Sequence, residues 1–466
     1  MHKLSWKNLL LSTSLAVFPA CGGSPVDEPQ SPEPSDGLLK AGDPANAVIL
    51  EPAGVLADGT VRAAALTPGD RDSTFAGGGV STYPVSGVSS VTVNSTLFQT
   101  DGKIVVSGML TGYGCHAYVS RFTSNGMPDP TFGDNGMAKL QISNGPNCHG
   151  ASAALLPDGK IILATTRENS SVSPATSDYV VVRLNANGSQ DYAFNPIIYN
   201  VSEVDRAVDV KVTSTGVIVL GGWSRLSNGG NDFIIARFSS TGSMLSIAHF
   251  DFQGGNDILN RITLQPDGKI LAVGRTSAST GYTDFALARF TSAGAVDTMF
   301  GSGGGRRLDA FGHNDVALSV AVQGDGKILV GGSAYHPSSS TTILALFRLN
   351  ATGTAFDTAF GNSGQAYANP GNTAGRGTTS QALAIQADGK IVSAGNSLYG
   401  GSQDVSLVRF TPSGTLDSTF LGGGGYWFEP SPNSADSTSS VLLQTDGKIL
   451  VGGTSATAIR LSRHVP

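Results

Sequence analysis

Apolar and polar residues alternate in short runs along most of this chain, which is the pattern of β-strands with one buried face. A well-preserved stretch runs from Asp315 to Gly364. Its apolar runs at 317–322, 327–332 and 344–349 predict three strands, and a weaker fourth follows a further turn. The turn at 324–326 is Gly-Asp-Gly, in which glycine adopts positive φ freely and aspartate supports the turn. The stretch therefore predicts a unit of four short antiparallel strands.

This unit recurs seven times. The triplet Asp-Gly-Lys marks the first turn in six copies, and a degenerate triplet, Thr215-Gly216-Val217, marks it in the remaining one. Successive copies are 52 to 63 residues apart. Four strands per repeat at this period are typical of propeller blades, so the predicted fold class is an all-β, seven-bladed β-propeller. The six triplets begin at Asp101, Asp158, Asp267, Asp325, Asp388 and Asp446.

A second marker, Asp-x-x-Phe, precedes the fourth strand of most copies. Its first occurrence, Asp72–Phe75, comes before any Asp-Gly-Lys turn, and the chain stops soon after a third strand placed at 458–461. The last blade therefore lacks a fourth strand of its own. We expect the N-terminal strand near 79–85 to complete it, which closes the ring and removes two open sheet edges. The other markers begin at Asp129, Asp191, Asp297, Asp357 and Asp417.

Connectivity assigns the loops of each blade to two faces. Both kinds of recurring turn lie on one face, and the loops between strands two and three and between blades lie on the other. Residues repeated in every blade are expected to serve folding, because one ligand site would break the repeat. The arginine near the end of each third strand is predicted to pair with a turn aspartate. Its copies are taken as Arg121, Arg183, Arg237, Arg289, Arg348, Arg409 and Arg460.

These elements together resemble the delta-sixty repeat proteins, a family of predicted propellers in bacterial surface and secreted proteins. The matching features are the Gln-x-Asp-Gly-Lys-Ile turn, the Arg-Phe or Arg-Leu pair and the Asp-x-Thr-Phe-Gly turn, over about residues 68–462. The third copy departs from the pattern, because it lacks Asp-Gly-Lys and the segment before its fourth strand, 242–252, lacks Asp-x-x-Phe. The resemblance implies the fold and an extracytoplasmic location, and it implies no catalytic set.

The N-terminus predicts export and lipidation. Residues 1–20 read as a signal peptide, with two lysines before an apolar run too short to span a bilayer permanently. Phe18-Pro19-Ala20-Cys21-Gly22 resembles a bacterial lipobox in which Cys21 carries the lipid, and Gly22 then implies the outer membrane. The alternative is an ordinary signal peptide with an incidental Cys21. Residues 21–65, rich in Pro, Ser and Gly, predict a disordered tether before a propeller at 66–466.

Composition narrows the classes of partner and activity. Charged residues make up only 14% of the chain, the net charge is −6, and no cluster of Lys and Arg stands out, so a nucleic-acid partner is not expected. No Gly-x-Ser-x-Gly, His-Glu-x-x-His or phosphate-loop motif is present. Their absence weakens an enzyme hypothesis without excluding it, because enzymes of this fold assemble sites from scattered loop residues.

Aromatic and acidic residues collect on the face formed by the loops between strands two and three and between blades. This face differs from one repeat to the next and is called the variable face here, and such loops often carry function. The aromatics are predicted to stack on sugar rings or anchor a protein partner, and plain packing of the rim is the alternative. They are Tyr113, Trp223, Tyr282, Tyr335 and Tyr399. The carboxylates suit calcium, although their periodicity favours closing turns or bonding the next blade. They are Asp178, Asp205, Asp232, Asp257, Asp284, Asp315, Asp404 and Asp436.

Two local motifs leave alternatives. Gly229–Asp232 and Gly254–Asp257 look like calcium-binding nonapeptides, but they are 25 residues apart rather than in tandem, so we reject that interpretation. Cys115 and Cys148 fall on the same face of a predicted secreted protein, which favours a disulfide. Each cysteine precedes a histidine, so a zinc site with His116 and His149 is the alternative.

The sequence therefore predicts a lipid-anchored propeller, expected to be a monomer, that binds a glycan or an envelope protein through its variable face. The competing hypothesis is an extracytoplasmic hydrolase or lyase with an acidic site, which calcium could assist, at the mouth of the central channel. A purely structural surface protein is a third class. Carboxylates and histidines that converge at the channel mouth would favour the enzyme, and a rim of aromatics would favour the binding module.

Overall fold

The computed structural model describes residues 66–112, 114–143, 149–169, 176–227, 229–252, 254–277, 281–369, 377–399, 402–429 and 436–466. The predicted signal peptide, the lipidation site at Cys21, the tether, Tyr113 and Cys148 lie outside these residues, as does the side chain of Tyr399. Within the described residues, the one helical element is a single 3₁₀ turn, Leu421–Gly423. None of the helical structure found there is long and apolar enough to cross a membrane.

The described residues form 28 strands in seven four-stranded antiparallel sheets, which confirms the predicted all-β, seven-bladed propeller. Blades 1 to 6 take strands 2–5, 6–9, 10–13, 14–17, 18–21 and 22–25, and blade 7 takes strands 26–28 together with strand 1. The strands are β1 (Val80–Pro84), β2 (Ser90–Phe98), β3 (Ile104–Gly112), β4 (Gly114–Phe122), β5 (Met137–Ser143), β6 (Ser152–Leu155), β7 (Ile161–Asn169), β8 (Thr176–Leu184), β9 (Ile197–Tyr199), β10 (Asp205–Val212), β11 (Ile218–Arg225), β12 (Asn231–Phe238), β13 (Met244–Phe250), β14 (Asp257–Leu264), β15 (Ile270–Ser277), β16 (Thr283–Phe290), β17 (Gly305–Leu308), β18 (Asp315–Val322), β19 (Ile328–His336), β20 (Thr341–Leu349), β21 (Gln365–Ala368), β22 (Ala382–Ile385), β23 (Ile391–Tyr399), β24 (Ser402–Phe410), β25 (Tyr426–Glu429), β26 (Asp436–Leu443), β27 (Ile449–Ser455) and β28 (Ala458–His464).

The first strands of the seven blades contact one another in ring order. The order is β2, β6, β10, β14, β18, β22 and β26, and β26 contacts β2 again. Apolar side chains pack between successive blades in seven buried clusters rather than in one central core. The first strands therefore line the centre, and stability depends on contacts between neighbouring blades.

The ring closes as the sequence predicted. Strand β1 pairs antiparallel with β28 in a register from Val80 opposite Ser462 to Pro84 opposite Ala458. Phe75, which precedes β1, is completely buried in the cluster between blades 7 and 1. The N-terminal segment thus completes the sheet of the last blade and fills its contact with the first.

One constellation explains why both turns and the arginine recur. In blade 1, Arg121 Nε donates to Asp129 Oδ2 at 2.8 Å, and the ammonium of Lys103 lies 3.1 Å from the same oxygen. The guanidinium also lies 4.7 Å from the ring centroid of Phe132, and its Nη1 donates to the carbonyl of Ala186 in blade 2 at 2.6 Å. This confirms that both turns share one face and that the arginine pairs with a turn aspartate. The arginines of blades 2, 3, 4, 5 and 7 donate to a carbonyl of the next blade in the same way, so the repeated residues join neighbouring blades.

The phenylalanine of an Asp-x-x-Phe turn packs against the neighbouring blade. Phe75 of blade 7, for example, lies against Gly126 of blade 1, where φ is +85° and an added Cβ would lie 2.4 Å from the Phe75 ring. The turn at Gly126 therefore needs glycine for space as well as for its backbone conformation. The Arg–Asp contact is 2.8 Å in each of the further copies. These are Arg183–Asp191, Arg289–Asp297, Arg348–Asp357, Arg409–Asp417 and Arg463–Asp72.

The last copy corrects the sequence analysis. Arg463, not Arg460, occupies the repeated position, because Arg463 lies opposite Leu450 as Arg121 lies opposite Val105. Arg460 is buried three residues earlier, and its Nε is 3.7 Å from a carboxylate oxygen of Asp436. The prediction was wrong because Arg460-Leu461 imitates the usual Arg-Leu pair, while His464 follows the true copy.

Blade 3 keeps the arginine without its partners. Arg237 Nη1 donates to the carbonyl of Ala293 in blade 4 at 2.7 Å and to Ser246 Oγ at 3.3 Å. Its buried Nε has no hydrogen-bond partner, and no aspartate replaces the missing turn residue among its contacts in the described residues. Blade 3 therefore retains the link to the next blade and loses the ion pair.

The turn aspartates make acid stability a direct test. Burial alone would raise the pKa of Asp72 and Asp417, but bonds from the threonine two residues on and the nearby Lys and Arg side chains lower it to about 2. The pKa values of Asp129, Asp297 and Asp357 are also lowered. A carboxyl with a folded-state pKa below its unfolded value of about 3.9 stabilises the fold above about pH 4, and that contribution is lost as the pH falls towards 2.

We therefore expect the urea midpoint to fall steeply between pH 4 and 2. Asp417→Asn is expected to lower the midpoint at pH 7 and to make its decline in acid shallower, because one fewer carboxyl titrates. Equal pH profiles for the variant and the parent would contradict this account.

Candidate binding rim

Loops of blades 4 and 5 bring aromatic side chains together on the variable face. Tyr282 precedes β16, His313 lies in the loop between β17 and β18, and Tyr335 lies in β19. The His313 ring is 5.2 Å from the ring centroids of both tyrosines, edge to face in each case. Tyr282 is 42% exposed. Two of the five predicted aromatics are thus joined by a histidine that the sequence analysis did not single out.

The other predicted aromatics lie elsewhere. Trp223 lies in β11 rather than in a loop, is half-buried, and has the guanidinium of Arg206 5.9 Å from its ring centroid. Tyr399 ends β23, and Tyr113 lies outside the described residues. The prediction that the five aromatics bind a ligand stays a prediction, and the ring contacts of His313 in the described residues are with Tyr282 and Tyr335 rather than with Trp223.

A second group of rings meets at Phe311, which lies in the same blade-to-blade loop as His313. Phe311 packs against His336 and Tyr367, with ring centroids 4.8 and 4.9 Å apart. The pKa of Tyr367 is raised to about 12 by burial and by the negative charges of Asp315 and Asp309. The loop from Asp309 to Asp315 therefore carries both aromatic rings and carboxylates.

The carboxylates of this loop are poorly compensated. Asp315, the first residue of β18, is fully buried, and its Oδ2 accepts from the amide of Ala310 at 2.8 Å. Its Oδ1 has no hydrogen-bond partner among the described residues. Burial, together with the charges of Asp309 and Asp284, raises the pKa of Asp315 to about 7. Arg307 pairs with Asp284, and no Lys or Arg of the described residues pairs with Asp309 or Asp315.

The structure also explains the rejected Gly-Gly-Asn-Asp motif. Residues 251–257 and 309–315 share the pattern Asp-x-x-Gly-x-Asn-Asp, and in each the last aspartate begins the first strand of a blade. Asp257 Oδ2 accepts from the amide of Phe252 at 2.7 Å, as Asp315 Oδ2 accepts from Ala310. Turn closure, the favoured alternative for these carboxylates, is confirmed at both positions. The shared pattern of the two loops is the sequence signal that could have revealed it.

Three carboxylates nevertheless lie close enough to hold a cation. The ligand atoms of Asp232, Asp251 and Asp257 all lie within 4.8 Å of one another. Burial, with the nearby charges of Asp251 and Asp232, raises the pKa of Asp257 to about 6. Asp178 instead pairs with Arg167 at 2.8 Å. Only part of the predicted acidic set is therefore brought together.

A histidine and a glutamate meet between blades 2 and 3. His149 Nε2 lies 2.5 Å from Glu168 Oε1, and Arg206 Nη2 donates to the same oxygen at 2.8 Å. His149 precedes β6, Glu168 lies near the end of β7, and Arg206 lies in β10, so three separate elements meet there. No spacing in the sequence points to this contact.

Cys115 lies in β4 rather than in a loop, is fully buried and is disulfide-bonded. Its predicted partner, Cys148, lies outside the described residues, so the pairing stays a prediction. A disulfide leaves no thiolate at Cys115 for the alternative zinc site. Non-reducing peptide mapping is expected to recover one Cys115–Cys148 peptide, and a free thiol at Cys148 would contradict the pairing.

Charged side chains also occupy the central strands. Asp209 in β10 is completely buried, and it accepts bonds from Ser152 of blade 2, Lys211 of its own strand and the amide of Ile262 in blade 4. Arg261 of blade 4 reaches the carbonyl oxygens of Asn94 in blade 1 and Ser439 in blade 7, at 3.5 and 3.2 Å. These contacts join blades across the centre, and no sequence motif pointed to them.

Comparison with known proteins supports the fold. Six segments of the chain match the model of a β-propeller domain family of unknown function. The matched residues are 99–132, 156–194, 213–244, 265–300, 323–360 and 386–420, so the seventh repeat is outside the match. The match supports a bacterial β-propeller family, and the finer resemblance to delta-sixty repeats stays a prediction. No curated protein matches the chain.

Solved structures share the architecture at low identity. An ulvan lyase of a new polysaccharide lyase family, bound to a GlcA-Rha3S unit, is 11% identical with a TM-score of 0.51, covering 82% of this chain and 94% of that one. A second structure of that ulvan lyase family is 12% identical with a TM-score of 0.50, covering 80% and 94%. A protein of unknown function from Dyadobacter fermentans is 13% identical with a TM-score of 0.39, covering 72% and 96%. These likenesses concern the fold alone.

Proposed function

We propose that this protein is a lipid-anchored extracytoplasmic binding module whose variable face takes a glycan or an envelope protein. The observation that carries the proposal is the Tyr282–His313–Tyr335 cluster, in which an exposed tyrosine stands beside two half-buried rings. Aromatic faces with nearby carboxylates suit sugars, because the rings stack on apolar sugar faces and the carboxylates accept from hydroxyls. The paired rings favour a glycan over a protein as the ligand.

A glycan array with two matched tyrosine variants tests this proposal. Tyr282→Ala is expected to weaken binding about 30-fold, or about 2 kcal/mol, as removal of a stacking residue at the centre of a site does. Tyr192→Ala is the control, because Tyr192 is 83% exposed but lies in an Asp-x-x-Phe turn on the opposite face. Equal losses in the two variants would contradict the rim. A pull-down from the envelope that depends on Tyr282 would replace the glycan by a protein.

The outer-membrane location is part of the proposal and rests on the lipobox-like segment around Cys21. Cys21→Ser is expected to move the protein from the membrane fraction to the soluble fraction. Purified parent protein with no acyl mass on Cys21 would contradict the anchor.

An extracytoplasmic hydrolase or lyase is the second candidate. The observation that favours it is the oriented His149–Glu168 pair on the variable face, since a carboxylate-bound imidazole suits a general base. Asp232, Asp251 and Asp257 are the residues that would hold an assisting calcium ion. Release of reducing ends from a polysaccharide panel, lost in His149→Gln and kept in Tyr192→Ala, would establish this candidate. A rise in melting temperature with calcium, lost in Asp251→Asn, would establish the cation.

A further inference from the structure

The charge balance of the rim between blades 4 and 5 is unequal. The charges of Asp284 and Asp309 both act on Asp315, and Arg307, the cation that pairs with a member of this group among the described residues, is bound to Asp284. Asp309 is exposed, and its Oδ1 accepts from the local amide of Gly312 at 2.6 Å. The site therefore carries negative charge that the described residues do not neutralise.

The buried member of this group is the second, independent sign of a missing partner. Asp315 is fully buried with Oδ1 unbonded, whereas the corresponding Asp205 of blade 3 accepts from Ser202 Oγ at 3.2 Å with that oxygen. A buried carboxylate oxygen without a donor is costly, and a cation nearby would offset that cost. Asp315 itself is covered, so exposed Asp309 is the residue that a ligand reaches, and a cation bound there would favour the ionised form of Asp315.

Aromatic rings occupy the same loop as these carboxylates. His313 of this loop contacts Tyr282 and Tyr335, and Phe311 of the same loop contacts Tyr367. The faces of tyrosine and phenylalanine attract organic cations, and an anionic ligand would meet repulsion from Asp309. Rings and carboxylates together suit a positively charged amino group on an otherwise neutral ligand.

We propose that the rim between blades 4 and 5 recognises a cationic amino group, so that its ligands are sugars bearing an unacylated amine rather than uronic acids or sulfated sugars. This inference rests on the proposed glycan binding and names the class of glycan. It also sets this chain apart from the ulvan lyase bound to a GlcA-Rha3S unit, to which the likeness concerns the fold alone.

Calorimetric titration with three oligosaccharides of equal length tests the inference. The probes are an N-acetylglucosamine oligomer, which is neutral, its N-trimethyl derivative, whose positive charge is fixed, and an oligogalacturonate. The cationic probe is expected to bind about tenfold more tightly than the neutral one, the combined effect of one exposed cation–π contact and one surface ion pair. The oligogalacturonate is expected to bind more weakly than both.

Two isosteric variants locate the effect. Asp309→Asn is expected to reduce the tenfold preference to about threefold, because the amide removes the charge while its oxygen keeps the bond from Gly312. Asp134→Asn is the control, since Asp134 is an exposed carboxylate in a turn on the opposite face. Equal binding of the cationic and neutral probes, or tighter binding of oligogalacturonate, would overturn the inference and leave glycan binding intact. No binding of any probe would overturn both.

Discussion

Deleting residues 66–86 is expected to leave no folded monomer. The deletion removes β1, the buried Phe75 and the carboxylate of Asp72, which Arg463 and Lys448 share at 2.8 and 3.2 Å. Truncating a buried aromatic costs about 3–5 kcal/mol, and leaving a buried charge unpaired costs a similar amount. Their sum is comparable with the whole stability of an ordinary domain, about 5–15 kcal/mol. The open edge of β28 would then direct the chain towards aggregation.

The measurement is sedimentation velocity and thermal unfolding of two truncated proteins. A chain that begins at Leu66 is the matched control and is expected to sediment as a folded species with a single unfolding transition. The chain that begins after residue 86 is expected to sediment as large aggregates. If it remains monomeric and melts at the same temperature as the control, ring closure by β1 contributes little and the argument fails. Arg463→Met is a milder variant that is expected to lower the melting temperature, because it leaves the buried carboxylate of Asp72 without its guanidinium partner.

Asp209→Ala is expected to destabilise the propeller by about 3–5 kcal/mol. The buried carboxylate accepts from Ser152 Oγ at 2.9 Å, from the Lys211 ammonium at 2.7 Å and from the amide of Ile262 at 3.1 Å. Alanine would leave these donors without their acceptor in a region that water does not reach freely. The pKa of Asp209 is lowered although burial opposes ionisation, because Lys211 and Arg261 favour the charged form.

Urea unfolding at neutral pH measures this effect. Asp134→Ala is the control, because an exposed carboxylate with no ion pair among the described residues is expected to change stability by less than about 0.5 kcal/mol. Asp209→Asn separates charge from shape, and we expect a loss between those of the control and of alanine. A change below about 1 kcal/mol in Asp209→Ala would show that the central contacts are dispensable, and that the packing between blades alone holds the ring.

The sequence by itself determined the number of blades, the order of strands and the closure of the ring. Two turn motifs and one arginine recur in the chain because every blade must form the same two turns and the same contact with the next blade. The conformation of a tight turn depends on a few consecutive residues, so the turn at Asp325-Gly326-Lys327 can be recognised from the sequence without a structure. The error at Arg460 has the same origin, because a local pair imitated the repeat and only the register of β28 identified Arg463.

Only the tertiary structure decided which residues of the variable face meet. Tyr282, His313 and Tyr335 come from three segments, and His149 meets Glu168 and Arg206 in the same way. Asp209 and Arg261 likewise bind residues of other blades, at sequence separations of 53 to 178. Such contacts depend on the angle between blades and on the path of each loop, and neither leaves a periodic signal. The fold was therefore predictable from the repeats, whereas the charge, exposure and neighbours of the rim residues are properties of the assembled ring.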